Sequence, residues 1–312
     1  LTNPSKNFLQ GVFVMSFKRQ CGLGIIEVRF ANANGNPDAE GGPRQMSDLI
    51  GLISDVSIKA KIRAIFADHE SEVFKALQER FKFDPERFHV LESIKRGTSY
   101  HPGDYTGDEA VRAKNEAKKL ADENPAAMCE KFVDVRLFGA GALFEDKSGD
   151  GDKVRYLKTG CVTITPAISI NQVNVVEQTI TKKACFRDEN LSNLQGDIAP
   201  LAKKFVQHAL YTTRICVNSH IAAATNTSAE DIEVLKVVLP LIFAYNPSAS
   251  RPIGSVNMLH VYWKAHSNPL GSFNELAFWD AYTPKSKIGI SPSTSLDDYT
   301  FPVEDGVEDL VK

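Results

Sequence analysis

The stretch from Gly24 to Arg63 constrains the fold most. Ile25-Ile-Glu-Val-Arg-Phe30 alternates, with Ile26, Val28 and Phe30 on one face and Glu27 and Arg29 on the other, which predicts a β-strand. Ala31 to Ser54 then loses all periodicity and gathers Gly, Asn and Pro. A loop of that length is more than a plain connector, which points to function. Ser54 or Asp55 is a fair N-cap for a helix whose stripe is Val56, Ile58, Ile62 and Ile65. Lys59 and Arg63 sit one turn apart elsewhere on that helix. A strand, a long loop and a helix in this order anchor a mixed fold.

The rest of the chain extends the pattern. Phe8 to Phe17 predicts a strand that pairs with Ile25–Phe30 across a turn at Gly22-Leu-Gly24. Helices are expected over Ser71–Phe81 and Asp108–Glu123, with Lys95–Thr106 a loop between them. Phe132–Phe138 alternates again and predicts a strand ended by Gly139-Ala-Gly141. Its Phe132, Asp134, Arg136 and Phe138 share one face. Tyr156 to Val176 is strand-rich, and Glu177 to Gln207 is a polar excursion with Lys182, Lys183, Arg187, Lys203 and Lys204. Tyr211–Val217 returns to strand, Ser228 caps a helix reaching about Phe243, Met258–Trp263 is a strand and Phe273–Ala281 a helix. The order strand–helix–strand–strand–helix–strand, with insertions, fits a split βαβ, ferredoxin-like sheet in an α+β fold.

Charge and cysteines bound the function. The chain carries 36 Lys+Arg against 39 Asp+Glu, a net −3. Residues 288–312 hold six of the acids (Asp297, Asp298, Glu304, Asp305, Glu308, Asp309) and one base, so the remainder is slightly basic. That permits a nucleic-acid binder with an acidic tail. Five cysteines are scattered with no CxxC pair, as expected of free thiols in a reducing, cytoplasmic setting. No apolar run approaches the ~18 residues of a membrane span, and Val12–Met15 is too short for a signal peptide core. No dinucleotide fingerprint, Walker motif or GxSxG occurs. Asp146-Lys-Ser-Gly-Asp-Gly-Asp152 starts like a calcium loop but has Leu157 where the bidentate Glu belongs, and reads as a polar hairpin turn. No catalytic residue, cofactor or metal is expected.

The informative constellation is Asn34-Gly-Asn-Pro-Asp38, Gly41-Gly-Pro-Arg44 and the helix bearing Lys59, Lys61 and Arg63. Turns of Gly, Asn and Asp can expose backbone N–H groups, and a basic helix beside them makes a place for phosphate oxygens. The same composition also fits a solvated turn with ordinary surface lysines. Arg136 beside Phe138 fits a sheet face that meets nucleic acid, and equally an ion pair with Asp134. Tyr100, Phe138, Phe186 and Phe205 are aromatic candidates for stacking on bases.

These residues resemble a known family. Asn34–Asp38, Pro43-Arg44 and Leu52–Arg63, followed by Asp134–Ala140 (DVRLFGA), Ser248–Arg251, Met258–Trp263 and Asn268–Gly271, resemble in order the CRISPR type I Cascade backbone subunit, in its type I-C and I-B branch. The resemblance implies one RRM-like, ferredoxin-like palm over residues 1–312, helical fingers at 64–130, a β-hairpin thumb at 177–207 and an acidic tail at 288–312. It implies a non-catalytic subunit that polymerises head to tail on CRISPR RNA. It further implies pairing of that guide with a target DNA strand, contacts with other Cascade subunits and, indirectly, a recruited nuclease, with no membrane partner. The RNA-binding residues it implies are Asn34, Asn36, Arg44, Lys59, Lys61, Arg63, Arg136, Phe138, Lys203, Lys204, Arg214 and Arg251. A CRISPR RNA-processing ribonuclease of similar fold and a small-molecule enzyme of ferredoxin-like fold are the alternatives.

Overall fold

The structure, a computed structural model, describes residues 17–96, 102–144, 153–182, 199–268 and 270–312. The expected strand Phe8–Phe17 (but for Phe17), Tyr100, the Asp146–Asp152 turn and the thumb tip with Lys183, Arg187 and Phe186 lie outside the described residues. In chain order come β1 (Gln20–Ala31), β2 (Ile50–Ile53), α1 (Asp55–Ala67), α2 (Glu72–Phe81), α3 (Leu91–Arg96), α4 (Gly107–Glu123), α5 (Pro125–Lys131) and α6 (Val133–Phe138). They are followed by β3 (Gly139–Phe144), β4 (Val154–Thr159), β5 (Val162–Ile164), β6 (Ala167–Gln172), β7 (Val175–Lys182), β8 (Ala199–Val217), α7 (Ser219–Thr225), α8 (Ala229–Val238), α9 (Ile242–Tyr245), β9 (Val256–Ala265) and α10 (Glu275–Tyr282).

The main sheet runs Glu308–Asp309, β9, β1, β8, β6, β2, with β5 and β7 also paired to β8. Every one of these pairings is antiparallel. The first strand among the described residues, β1, therefore sits between the last long strand and β8. Such an order needs crossovers, and α1 and α8 lie in the connections that supply them.

Helices cover one face of the sheet. Ile58, Ile62 and Ile65 of α1 and Ile232, Leu235 and Val238 of α8 bury against Ile26 and Val28 of β1 and Val256 and Val261 of β9, in one core. Ser54 and Ser228 cap their helices as expected, and Ser71, expected as the first helical residue, is a cap as well. Ser54 accepts the Ser57 N–H, Ser71 accepts the Phe74 N–H, and Ser228 forms a reciprocal capping box with Asp231. Pro240 ends α8 early, and a 3-10 turn (Leu239–Leu241) follows in place of the expected run to Phe243.

The opposite face is covered too, which corrects the expectation of a polar side on β1. Cys21, Leu23 and Ile25 pack with Leu210, Tyr262, Phe278 and Tyr299 in a second core contributed by the C-terminal segment. Glu27 is buried there, bonded to Arg29 and to His208 Nε2 at 3.3 Å. The residues expected as an acidic tail fold back on this face. Asp309 accepts His260 Nδ1 at 2.8 Å and the Val261 N–H at 3.1 Å, and Glu304 accepts the Tyr262 hydroxyl. Glu304 and Asp309 are tied to β9, and Glu308 pairs with Lys236 of α8 at 3.0 Å.

The expected strand Phe132–Phe138 is a helix. Residues two apart share a face in a strand but point about 200° apart in an α-helix. Asp134 and Arg136 use that divergence and reach different partners. Asp134 accepts the Leu91 and Glu92 N–H groups that open α3 and the Arg63 Nε. Gly139, at φ 80°, ends the helix where any Cβ would strike the Lys158 carbonyl. Buried residues of α3, α4, α5 and α6 share a separate core with β3 and β4, whereas Phe74 and Leu77 of α2 belong to the main core.

Candidate nucleic-acid interface

At the end of β1 the alternation breaks. Phe30 has φ 44°, a left-handed conformation that bulky residues rarely adopt, and its ring is 62% exposed. The flip takes it off the core face it was expected to share with Ile26 and Val28. It meets Phe205 of β8 with ring centroids 5.9 Å apart and planes 60° to one another. Both rings line a groove of about 720 Å³ with Asn32, Glu40, Gly41, Val176, Gln178, Lys203, Lys204, Ala249, Ser250 and Pro252.

Three segments far apart in sequence make this groove. The Asn34–Arg44 loop is one wall, the base of the β7–β8 ribbon another, and the Ser248–Arg251 turn the third. The Asn32 N–H donates to the Ser250 carbonyl at 2.8 Å, which fastens the turn to β1. Lys204 bridges the ribbon to the loop through Glu40 at 2.6 Å, with Glu177 at 4.0 Å. That hydrogen bond and the pair's attraction raise the Lys204 pKa and lower that of Glu40.

Beside the Ser248–Arg251 turn lies a buried cation, Lys61, and in it stands a half-buried one, Arg251. Lys61 is 6% exposed and donates to the Ser57 hydroxyl (2.7 Å) and carbonyl (3.2 Å). Arg251 donates to the Asn246 carbonyl through Nε and Nη2 and to the Ala33 carbonyl through Nη1. Among the described residues neither is paired with a carboxylate. Burial, aided by the Arg251 charge, pulls the Lys61 pKa down to about 7, and burial also lowers that of Arg251.

The other expected residues are placed differently. The loop does not present a row of open amides. The N–H groups of Asn36, Ala39, Gly41, Gly42 and Arg44 donate to carbonyls within the loop. Asn34 accepts the Ser54 N–H, Asn36 the Asp38 N–H, and Arg44 Nε donates to the Gly35 carbonyl. Lys59 is paired with Asp55 at 2.8 Å. Arg63 is paired with Asp134 at 3.2 Å and stacks over Phe138.

Arg136 is 0% exposed, so it cannot meet a phosphate, and it is not paired with Asp134 either. It grips Asp231 with two bonds (2.8 and 3.2 Å) and the Arg87, Cys129 and Glu130 carbonyls with Nη1. Arg214 lies over Trp279 at the far end of β8, roughly 30 Å from Lys204 at strand rise. The groove thus gathers Lys203, Lys204 and Phe205, with Arg251 and Lys61 behind. Phe30 and Asn32 were missed. An exposed Phe where alternation predicts burial leaves no trace in composition.

A Ser–His–carboxylate line does form, from Ser293 Oγ to His208 Nδ1 (2.8 Å) and His208 Nε2 to Glu27 (3.3 Å). All three are buried beneath the C-terminal segment. With no access for substrate, the line is a fastening. His260, Glu304 and Asp309 also approach one another, as part of the ties that hold the C-terminus.

No curated protein matches the chain. Among solved structures it is similar to a chain of a "CRISPR RNA-guided surveillance complex, pre-nicking" at 16% identity and TM-score 0.43, covering 78% of this chain and 77% of that one. It is similar to a chain of a "CRISPR RNA-guided surveillance complex" at 15% identity and TM-score 0.40, covering 78% and 68%. A third, from the cryo-EM structure of the type III-B Cmr-beta bound to cognate target RNA, gives 11% identity and TM-score 0.39, covering 80% and 62%. These likenesses carry no argument by themselves. Residues 18–304 match the family described as CRISPR-associated protein Cas7. That match spans nearly the whole chain, and the chain belongs to the CRISPR-associated protein Cas7 family.

Proposed function

We propose that this chain is a non-catalytic, guide-RNA-binding backbone subunit of a type I CRISPR surveillance (Cascade) complex, of the I-C or I-B branch. The palm of this reading is the sheet β9–β1–β8–β6 with α1 and α8, whose strand order is that of a ferredoxin-like fold. The β7–β8 ribbon is the base of the thumb, and α3 to α6 with β3–β4 form the fingers. Copies assemble head to tail along the guide, which pairs with a target DNA strand while other subunits and a recruited nuclease complete the complex, in the cytoplasm.

The observation that carries this reading is the convergence on one groove. The loop, the ribbon base and the Ser248–Arg251 turn bring the exposed Phe30 and the half-buried Phe205 together with Lys203 and Lys204, beside the buried Lys61 and the half-buried Arg251, which have no carboxylate partners among the described residues. Cations hold phosphates of any sequence, and aromatic faces stack on any base. Binding that ignores sequence is what a guide holder needs, because the base edges must stay free to pair.

The test is the affinity of the full chain for unrelated single-stranded RNAs across a salt series. Equal affinities are expected. Lys203→Ala with Lys204→Ala should flatten the log–log salt slope by about 0.7 per lost contact. Phe205→Ala should weaken all RNAs alike and keep the slope. Absence of RNA binding, or wild-type behaviour in both variants, would contradict the reading.

A further inference from the structure

Two cysteines face each other inside the sheet. The register of β1 and β8 sets Cys21 directly opposite Cys216. The backbone bonds beside them decide which kind of pair they form. The Arg214 carbonyl accepts the Thr165 N–H at 3.0 Å and the Arg214 N–H donates to Thr165 Oγ1 at 2.9 Å, so Arg214 turns both groups away from β1. The Arg19 carbonyl accepts the His266 N–H at 2.9 Å, on the β9 side. Backbone direction in a strand repeats every second residue, so Cys216 and Cys21 turn their amides away from each other in the same way. They are a non-hydrogen-bonded pair, the closer of the two antiparallel kinds, with Cα atoms about 4.5 Å apart and side chains on one face. A disulfide spans Cα separations of roughly 4.4–6.8 Å.

Cys129 and Cys161 are engaged elsewhere, with Cys129 Sγ 3.6 Å from the Tyr156 hydroxyl and Cys161 Sγ donating to Thr227 Oγ1 at 3.4 Å. Cys21 is 1% exposed and Cys216 is half-buried. Burial, then the neighbouring Cys216, pushes the Cys21 thiol up to about 12, and burial also raises that of Cys216. Glu275 adds to both rises, while Arg19 opposes both, Lys264 that of Cys21 and Arg214 that of Cys216. Both groups therefore rest as thiols at neutral pH. We infer that Cys21 and Cys216 form a redox modification site, which a hydroperoxide closes into a disulfide between β1 and β8. The half-buried Cys216 reacts first: its sulfur takes one oxygen from hydrogen peroxide, giving a sulfenic acid and water. The Cys21 sulfur then attacks that sulfur, the S–S bond forms, the S–O bond breaks, and the hydroxyl leaves with the Cys21 proton as a second water. A thiol reductant reverses the bond by exchange. The closed form encloses a loop longer than 100 residues, which restricts the unfolded chain. The pair lies roughly 40 Å along β8 from Lys204 at strand rise, clear of the RNA groove.

The test treats the folded full chain with hydrogen peroxide at mildly alkaline pH, where more thiolate forms. Remaining thiols are blocked with N-ethylmaleimide in denaturant, and peptides are mapped without reduction. One linked pair carrying Cys21 and Cys216 is expected, two hydrogens lighter than the sum of its peptides, with Cys129 and Cys161 still alkylated. The linked protein should melt roughly 5–10 °C above the same sample treated with dithiothreitol. Cys216→Ser should leave Cys21 alkylated and abolish that shift, and the wild-type map stands by itself if the variant misfolds. Cys21 still alkylated in wild-type protein whose Cys216 has gone on to sulfinic acid would overturn the inference. So would linkage of either residue to another cysteine instead, or no loss of thiols.

Discussion

At the scale of single residues, the account turns on Phe30 and Lys61. Phe30 holds a left-handed backbone, a strain of order 1–3 kcal/mol for a bulky residue, in order to present an exposed ring. Phe30→Gly should therefore leave thermal stability unchanged or raise it by up to about 1 kcal/mol, while RNA affinity falls several-fold. A melt and a titration check both halves. Lost stability with intact binding would make Phe30 a core residue after all. Lys61 gives a pH signature. The unfolded chain keeps the lysine proton to about 10.5, and the fold releases it at about 7. Between those values the unfolded state binds more protons, so stability rises with pH across that window. Lys61→Met should stabilise the protein by on the order of 1–2 kcal/mol near pH 6 and flatten that rise, read by chemical denaturation at pH 6 and pH 9. Parallel behaviour of the two proteins would count against a buried, uncompensated charge. The sequence shows Lys61 on a helix, but not that Asn246 and Arg251 close over it.

At the scale of elements, local signals were legible and non-local ones were not. The caps at Ser54 and Ser228 reside within four residues and act as read. β2, α3, α5 and α7 were missed, and α6 was read as a strand. In α6 the polar alternation records two buried tethers on opposite sides of a helix, and those partners lie on α1, α3, α5 and α8. Arg136→Met should cost about 3–5 kcal/mol of stability by stranding Asp231 without its partner, with the RNA salt slope unchanged. Arg136→Lys should rescue little, because a point charge cannot span Asp231 and three carbonyls. Denaturant midpoints check both. A lost salt contact with normal stability would restore Arg136 to the interface.

At the scale of the whole molecule, packing covers both faces of the β9–β1–β8 part of the sheet among the described residues. Helices cover one side and the C-terminal segment the other, which leaves little open sheet face there for nucleic acid. A groove stays open where the end of β1 meets the ribbon base. The markers of the groove could be read in sequence one at a time, but their meeting could not, since contact between the Asn34–Arg44 loop, Lys204 and Ser250 is set by the strand order β9–β1–β8. The acidic stretch misled for the same reason: its charges looked free until Asp309 met β9. The most direct test is ultraviolet crosslinking of the full chain to uridine-rich RNA, followed by peptide mapping. The account predicts adducts on the peptides carrying Phe30 and Phe205 and none on α10 with its half-buried Trp279. Adducts on α10 alone, or RNA bound with neither groove peptide crosslinked, would contradict it.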